Sequence, residues 1–332
     1  MIDFLKLKEI IEKNNSFLIT THVNPDADAI GSEIAFHKML ELLGKKSVVI
    51  NHSETPYNLK FLDSENAVEK YEESKHKTLF HSADVLVALD FNRSDRMVSM
   101  RNIFMESTGI KICVDHHQDP EQFADYLFID SNYSATGHIL LDFIKFTKVI
   151  EIDKNIAAPL YAAIMTDTGS FRFERTTAKL HRLVAELLET GIDQTEIYSK
   201  LYDESKLSKI MLLGKCLTSL DLIADNHIGY MTICQNDFKE LGAIESDTEN
   251  FVNFIISVEG VNLGILFIEL RNGFKVSFRS KGKLPVNKLA ELFGGGGHLN
   301  AAGARFFELN MQDSIPKILE QAEVFYMKYS KG

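Results

Sequence analysis

The sequence predicts an α/β protein: an N-terminal, mostly parallel sheet with helices on both faces, a helical connector, and a smaller C-terminal α+β domain. Three observations carry this. In the first half, short runs of Val, Ile and Leu alternate with stretches of helical spacing, the pattern of a parallel sheet covered on both sides. From about residue 176 the strand-like runs give way to helix as far as residue 220. Strand-like runs then resume and the chain closes on a helix. A chain of 332 residues also exceeds what one small core needs, so two domains are expected. We place them at 1–190 and 221–332, with the connector at 191–220.

Element by element, "MIDFLKLKEIIEKNNS" spaces its apolar residues as one helical face. "SFLIT" (16–20) is the first strand, followed by a helix near 30–43, and "SVVI" (47–50) the next. "DVLVALD" (84–90), "IKICVD" (110–115) and "DYLFID" (125–130) are too continuously apolar for a half-exposed strand, which favours burial on both faces. Helices are expected near 135–147, 154–166 and 205–220. In the second domain "HIGYMTIC" (227–234), "NLGILFIEL" (262–270) and "FKVSFRS" (274–280) read as strands, "VNKLAELF" (286–293) as a short helix and "PKILEQAEVFYMKYS" (316–330) as the closing one.

Composition narrows the function. No apolar run approaches the ~18 residues a membrane span needs, and the N-terminus has neither the apolar core nor the cleavage site of a secretion signal. Three cysteines without a CxxC pair fit a reducing compartment, so the cytoplasm is expected. Net charge is −11, from 36 basic and 47 acidic residues, which argues against duplex nucleic acid, whose binding rests on phosphate neutralisation. Between Arg271 and Arg305, however, seven basic residues face one acid, Glu291. A local basic patch on an acidic chain suits a small, multiply charged anion.

Ligand sites on open parallel sheets lie beyond the carboxyl ends of the strands. Three of the expected strands run out into a potential metal ligand: His22, Asp90, and Asp115 with His116 and His117. Asp26 and Asp28 follow in "THVNPDADAIGS" (21–32), and Asp167 lies in "IMTDTGSFRF" (164–173). Singly, each has an ordinary explanation as a helix cap, a turn residue or a solvated acid. Together on one rim, that many carboxylates need a cation. Mixed His and Asp donors point to Mn²⁺, with Co²⁺, Fe²⁺ and Zn²⁺ as alternatives. The candidates outnumber the needs of one ion and match two, the arrangement that serves phosphoryl hydrolysis.

These motifs, "HVNPDADAIGS", the acid ending "ALD" at Asp90, "DHH" (115–117) and "DTGSFRF" (167–173), resemble in order those of the DHH phosphoesterases. That superfamily includes RecJ nucleases and manganese-dependent pyrophosphatases. "FGGGGHLNAAGARF" (293–306) resembles the glycine-rich signature of the DHH-associated C-terminal domain. By length, the likeness is to the stand-alone type that degrades short RNA and 3′-phosphoadenosine 5′-phosphate (pAp).

The resemblance implies two Mn²⁺ ions: His22 and Asp26 on one, Asp28, His116 and Asp167 on the other, Asp90 bridging. It implies that Asp115 orients the histidines and that His117 faces the scissile phosphate. It also implies that His298 and Arg279, with Gly295, Gly296, Gly297 and Asn300, hold a substrate phosphate. Glycines there would let backbone N–H groups approach an anion. Substrates would be di- to penta-ribonucleotides, single-stranded, and pAp, with no duplex and no membrane. A homodimer is compatible, the oligomeric state being open. Three other activities compete: cyclic di-AMP or pApA phosphodiesterase, inorganic pyrophosphatase or exopolyphosphatase, and a longer-strand nuclease. A nucleotide-binding sensor without turnover is the non-enzyme alternative.

Overall fold

The computed structural model describes residues 2–329. Contacts divide the chain into two compact units, the first ending at Glu204 and the second beginning at Ser205. That division falls inside the stretch expected as a connector.

The first unit runs α1 (Phe4–Lys13), β1 (Ser16–Thr20), α2 (Ala27–Leu42), β2 (Lys46–Asn51), β3 (Val68–Lys70), α3 (Glu73–Ser82), β4 (Val85–Leu89), α4 (Arg101–Glu106), β5 (Ile110–Asp115) and β6 (Tyr126–Ile129). It closes with α5 (Thr136–Thr147), α6 (Lys154–Asp167), α7 (Ala178–Glu189) and α8 (Gln194–Tyr198). Its six strands are ordered β3-β2-β1-β4-β5-β6, and every neighbouring pair is parallel. Successive strand residues enter opposite cores. Phe17, Ile19, Val87 and Val114 pack under α1, α2, α5, α6 and α7. Leu18, Leu86, Ala88 and Cys113 pack under Phe80 of α3 and Phe104 of α4. The continuous apolar runs of β1, β4 and the second half of β5 therefore reflect burial on both faces, as the sequence indicated, whereas β6, at the sheet edge, fully buries only Phe128. The strand order reverses between β1 and β4, and in open sheets of this kind the crevice lies there, at the carboxyl ends.

Close helix packing aims this crevice. A Cβ on Gly31 of α2 would lie 2.5 Å from the Pro159 carbonyl oxygen of α6, and one on Gly137 of α5 would lie 2.7 Å from the Ala163 Cβ. Only glycine permits so close an approach.

The second unit contains α9 (Leu207–Thr218), β7 (Asp221–Ile223), β8 (Ile228–Ile233), α10 (Gln235–Leu241), α11 (Val252–Ile256), β9 (Leu263–Leu270), β10 (Gly273–Ser280), α12 (Val286–Glu291), β11 (Gly296–His298), β12 (Ala301–Phe306) and α13 (Met311–Tyr329). Its sheet is ordered β11-β12-β10-β9-β8-β7 and antiparallel except for β8 beside β9. One face packs on α12 and α13, and Met231, Ile233, Leu266 and Ile268 pack against α9, α10 and α11.

Besides the short elements α3, α4, α10, α11, β7 and β12, which were not among those expected, further details differ from expectation. Helix α13 starts at Met311, earlier than expected, because Pro316 reads as a first helical residue but lies inside the helix. The short β3, one valine followed by Glu69 and Lys70, is too brief and too charged to carry an apolar signal. The glycine run divides: Gly294, with φ of 72°, and Gly295 close the turn after α12, while Gly296 and Gly297 begin β11, paired with β12. Among the described residues no helix is long and apolar enough to cross a membrane.

Candidate metal centre

Each strand end at the crevice delivers a ligand-type side chain. His22 follows β1, and its Nδ1 lies 2.9 Å from the Val23 carbonyl oxygen. A carbonyl only accepts, so Nδ1 donates and Nε2 keeps the lone pair. That Nε2 is 3.5 Å from Asp90 Oδ2. Asp26 caps α2, its Oδ1 accepting from the backbone N–H groups of Asp28 and Ala29 at 3.0 and 3.1 Å. The ordinary reading of this acid as a cap is thus correct as geometry, and its position also puts it with His22 and Asp90. The donor atoms of His22, Asp26 and Asp90 lie within 4.8 Å of one another.

A second group gathers Asp28, His116 and Asp167 within the same limit. His116 Nε2 is 3.6 Å from Asp28 Oδ2 and 3.1 Å from Asp167 Oδ2. Asp28 is held by the start of α5: its Oδ2 accepts from Thr136 N at 2.7 Å and its Oδ1 from Gly137 N at 2.9 Å. Asp90, with left-handed φ of 66°, stands between the groups. Its Oδ2 faces His22, while its Oδ1 is 3.6 Å from His116 Nε2. Thr136 Oγ1 donates to that same Oδ1 at 2.9 Å. Thr136 escaped the sequence reading, since nothing local links a helix-start threonine to an acid 46 positions earlier.

Asp115 sits beneath His117: its Oδ2 accepts from the His117 backbone N–H at 3.1 Å, and its Oδ1 is 2.7 Å from His117 Nδ1. Burial acts against its charge, but His117 outweighs it and holds the Asp115 carboxyl below the usual range.

The electrostatics show a site built for positive charge. Burial, reinforced by Asp167 and Asp26, pushes the Asp28 carboxyl up to about 7. Asp90 is raised well above the carboxylate range by burial and then by Asp28 and Asp26. Burial opposes charge on His116 too, but Asp167 and Asp28 raise it to about 9. Burial lowers His22, which leaves its ring neutral as a ligand must be. Buried carboxylates that cannot all ionise together, beside two imidazoles of which His22 presents its Nε2 lone pair to Asp90 and His116 holds a proton that a cation would displace, are a donor set that fits divalent cations.

In the second unit, β10 alternates Phe274, Val276 and Phe278 into the core, so Lys275, Ser277 and Arg279 share the opposite face. The register places His298 opposite Ala301 and Ala301 opposite Arg279. The two basic groups therefore belong to one row, with a small residue between them. Gly295 and Gly297 let β11 come close: a Cβ would lie 2.1 Å from the Gly303 carbonyl oxygen or 2.5 Å from that of Ala301. Gly296 has open space at its Cβ position. Asn300 gives its amide hydrogens to Ser280 Oγ and the Gly282 carbonyl, at 3.0 and 2.8 Å. The basic patch is also less bare than the sequence count implied. Glu245, from outside the window, pairs with Arg305 and with Lys275 at 4.0 Å.

Residues 16–164 match the model described as DHH family, N-terminal domain, and residues 229–327 match the DHHA1 domain. A relative from Thermus thermophilus, the bifunctional oligoribonuclease and PAP phosphatase NrnA, is 33% identical over 302 residues, 91% of this chain and 87% of the relative. The chain belongs to the DHH family. It is thus a DHH-family phosphoesterase. The protein of the same name from Bacillus subtilis is 27% identical over 319 residues, covering 95% of this chain and 97% of the relative. The crystal structure of an exopolyphosphatase-related protein from Bacteroides fragilis superimposes with TM-score 0.91 at 31% identity, covering 99% of this DHH chain and 97% of that one.

Proposed function

We propose that this chain is a Mn²⁺-dependent, two-metal phosphoesterase that hydrolyses short oligoribonucleotides and pAp. The observation carrying this is Asp90, whose two oxygens face the two imidazoles His22 and His116. In this reading His22 and Asp26 would hold one ion and Asp28, His116 and Asp167 the other, with Asp90 shared between them. Bound there, the pair supplies Lewis-acid polarisation of the phosphoryl oxygens and a lowered pKa for attacking water.

The chain's own groups do the rest. Asp115 fixes the His117 ring through Nδ1 and offers a countercharge to its imidazolium form, the form in which Nε2 carries the proton that passes to the leaving oxygen. Arg279 and His298 grip a phosphate of the substrate on their shared row of the second sheet, and the backbone of Gly295, Gly296 and Gly297 lines that row. Asn300 holds the neighbouring turn at Gly282 in place. Gripping one end of the substrate favours short chains. The names of the Thermus and Bacillus relatives, oligoribonuclease and PAP phosphatase, support this substrate class. Three unbridged cysteines support a cytoplasmic setting.

The test is one mixture of diribonucleotide, a long RNA, pAp, cyclic di-AMP and pyrophosphate, incubated with Mn²⁺ and followed by mass spectrometry against a chelator control. The expected result is preferential, chelator-sensitive loss of the diribonucleotide and pAp. Loss of pyrophosphate alone, or of cyclic di-AMP first, would replace this substrate class with another. No metal-dependent loss of any component would point to a binding protein.

A further inference from the structure

Glu33 breaks the rule of its own helix. Helix α2 is buried nearly all round, and Glu33 lies fully inside it. A buried acid is costly, and apolar side chains would pack this position without that cost. Such violations mark sites where the side chain serves something besides stability.

The side chain reaches one partner. Glu33 Oε2 accepts from Asn51 Nδ2 at 2.8 Å, while Oε1 has no hydrogen-bond partner. The amide of Asn51, at the end of β2, is thereby oriented with its oxygen toward β1. Asn51 Oδ1 accepts from the Thr21 backbone N–H at 3.1 Å. Thr21 Oγ1 in turn donates to the Leu89 carbonyl oxygen at 2.7 Å. The backbone ladder between these strands stops just before, at Ile19 opposite Val49 and Thr20 opposite Ala88. Asn51 and Thr21 thus add a rung of side-chain bonds across β2, β1 and β4. The residue after Thr21 is His22, and the residue after Leu89 is Asp90.

Resting on the metal reading above, we infer that the rung from Glu33 through Asn51 and Thr21 to Leu89 is the positioning device that sets His22 against Asp90. Glu33 works in it as a neutral acceptor. Burial pushes its carboxyl up to about 8, with Asn51 opposing and Asp63 adding to the rise, so it keeps its proton at neutral pH. In that form it accepts from Asn51 without placing a charge in the core. Replaced by an apolar residue, it would leave the Asn51 amide hydrogens buried and unpaired. The amide would then turn, and Thr21 would lose its acceptor. None of these residues touches substrate, and their effect passes through the ligands.

The test uses full-length protein and Mn²⁺ as the probe. Calorimetric titration is run on wild type, Glu33→Gln, Glu33→Leu and Thr21→Val. Amide exchange at Thr21 is followed by NMR in the metal-free state. Glu33→Leu and Thr21→Val are expected to weaken one of two Mn²⁺ binding events by ~10-fold or more, the usual cost of losing an outer-shell partner. The other event stays as in wild type. Glu33→Gln keeps an acceptor and is expected to retain both events and the slow Thr21 exchange that Glu33→Leu loses. Wild-type affinities in both Glu33→Leu and Thr21→Val overturn the inference, as does a Glu33→Gln protein as impaired as Glu33→Leu. Should Glu33→Leu fail to fold, Thr21→Val and Glu33→Gln still decide. A wild-type protein that binds no Mn²⁺ sinks the metal reading instead, and Thr21 exchange then judges the rung by itself.

Discussion

Replacing Glu33 with glutamine should stabilise the metal-free protein, and increasingly so as pH rises. The carboxyl is raised from 4.5 to about 8 in the folded protein, and regains its ordinary value when the chain unfolds. Between those values the folded state holds a proton that the unfolded state releases. Folding stability therefore falls with rising pH across the window, and the cost is complete above about 8. At about 1.4 kcal/mol per unit, that shift totals about 5 kcal/mol. Glutamine carries no such titration, keeps the shape, and still accepts from Asn51 Nδ2. With no tryptophan in the chain, urea unfolding is best followed by circular dichroism, under chelator, from pH 5 to 9. The gap between variant and wild type should widen up to about pH 8 and level off above it. Parallel stability curves would refute the reasoning, because they would mean that Glu33 is already ionised in the fold.

Asp28→Ala should abolish Mn²⁺-dependent turnover with an unchanged dichroism spectrum, and cost about 1–3 kcal/mol from the unpaired Thr136 and Gly137 N–H groups; near wild-type activity would remove Asp28 from the ligand set. Thr136→Val deletes the hydroxyl that donates to Asp90, and a ~10-fold fall in Mn²⁺ affinity is expected by calorimetry. Gly295→Ala would set a Cβ 2.1 Å from the Gly303 carbonyl oxygen and push β11 off β12. KM for pAp should rise while Mn²⁺ affinity is unchanged, and an unchanged KM would detach this strand from substrate binding.

The centre of the first unit was readable from one dimension because its signals are local. Runs such as "VLVAL" (85–89) are apolar throughout since both faces are covered, and parallel strands put their carboxyl ends on one side. A His or Asp just past each run therefore had to meet the others. The supporting side chains were not readable. Thr136, Asn51, Thr21 and Glu33 are ordinary polar residues whose partners lie 46, 30, 68 and 18 positions away, and no spacing rule connects them. Strands β3 and β11 were hidden for a related reason: three residues rich in charge or glycine carry no hydrophobic period.

The sequence alone determined the α/β class and the ligand-type residues, through hydrophobic period and strand-end placement, which act within a few residues. Its resemblance to the DHH phosphoesterases supplied the family. Tertiary structure decided how the donors group. The order β3-β2-β1-β4-β5-β6 opens the crevice between β1 and β4, and the glycine contacts at Gly31 and Gly137 let α2, α5 and α6 approach closely enough to join Asp28 to Asp167. It also brought Glu245 into a patch that had read as almost wholly basic. Such distances depend on which surfaces pack together, and packing is a property of the whole chain.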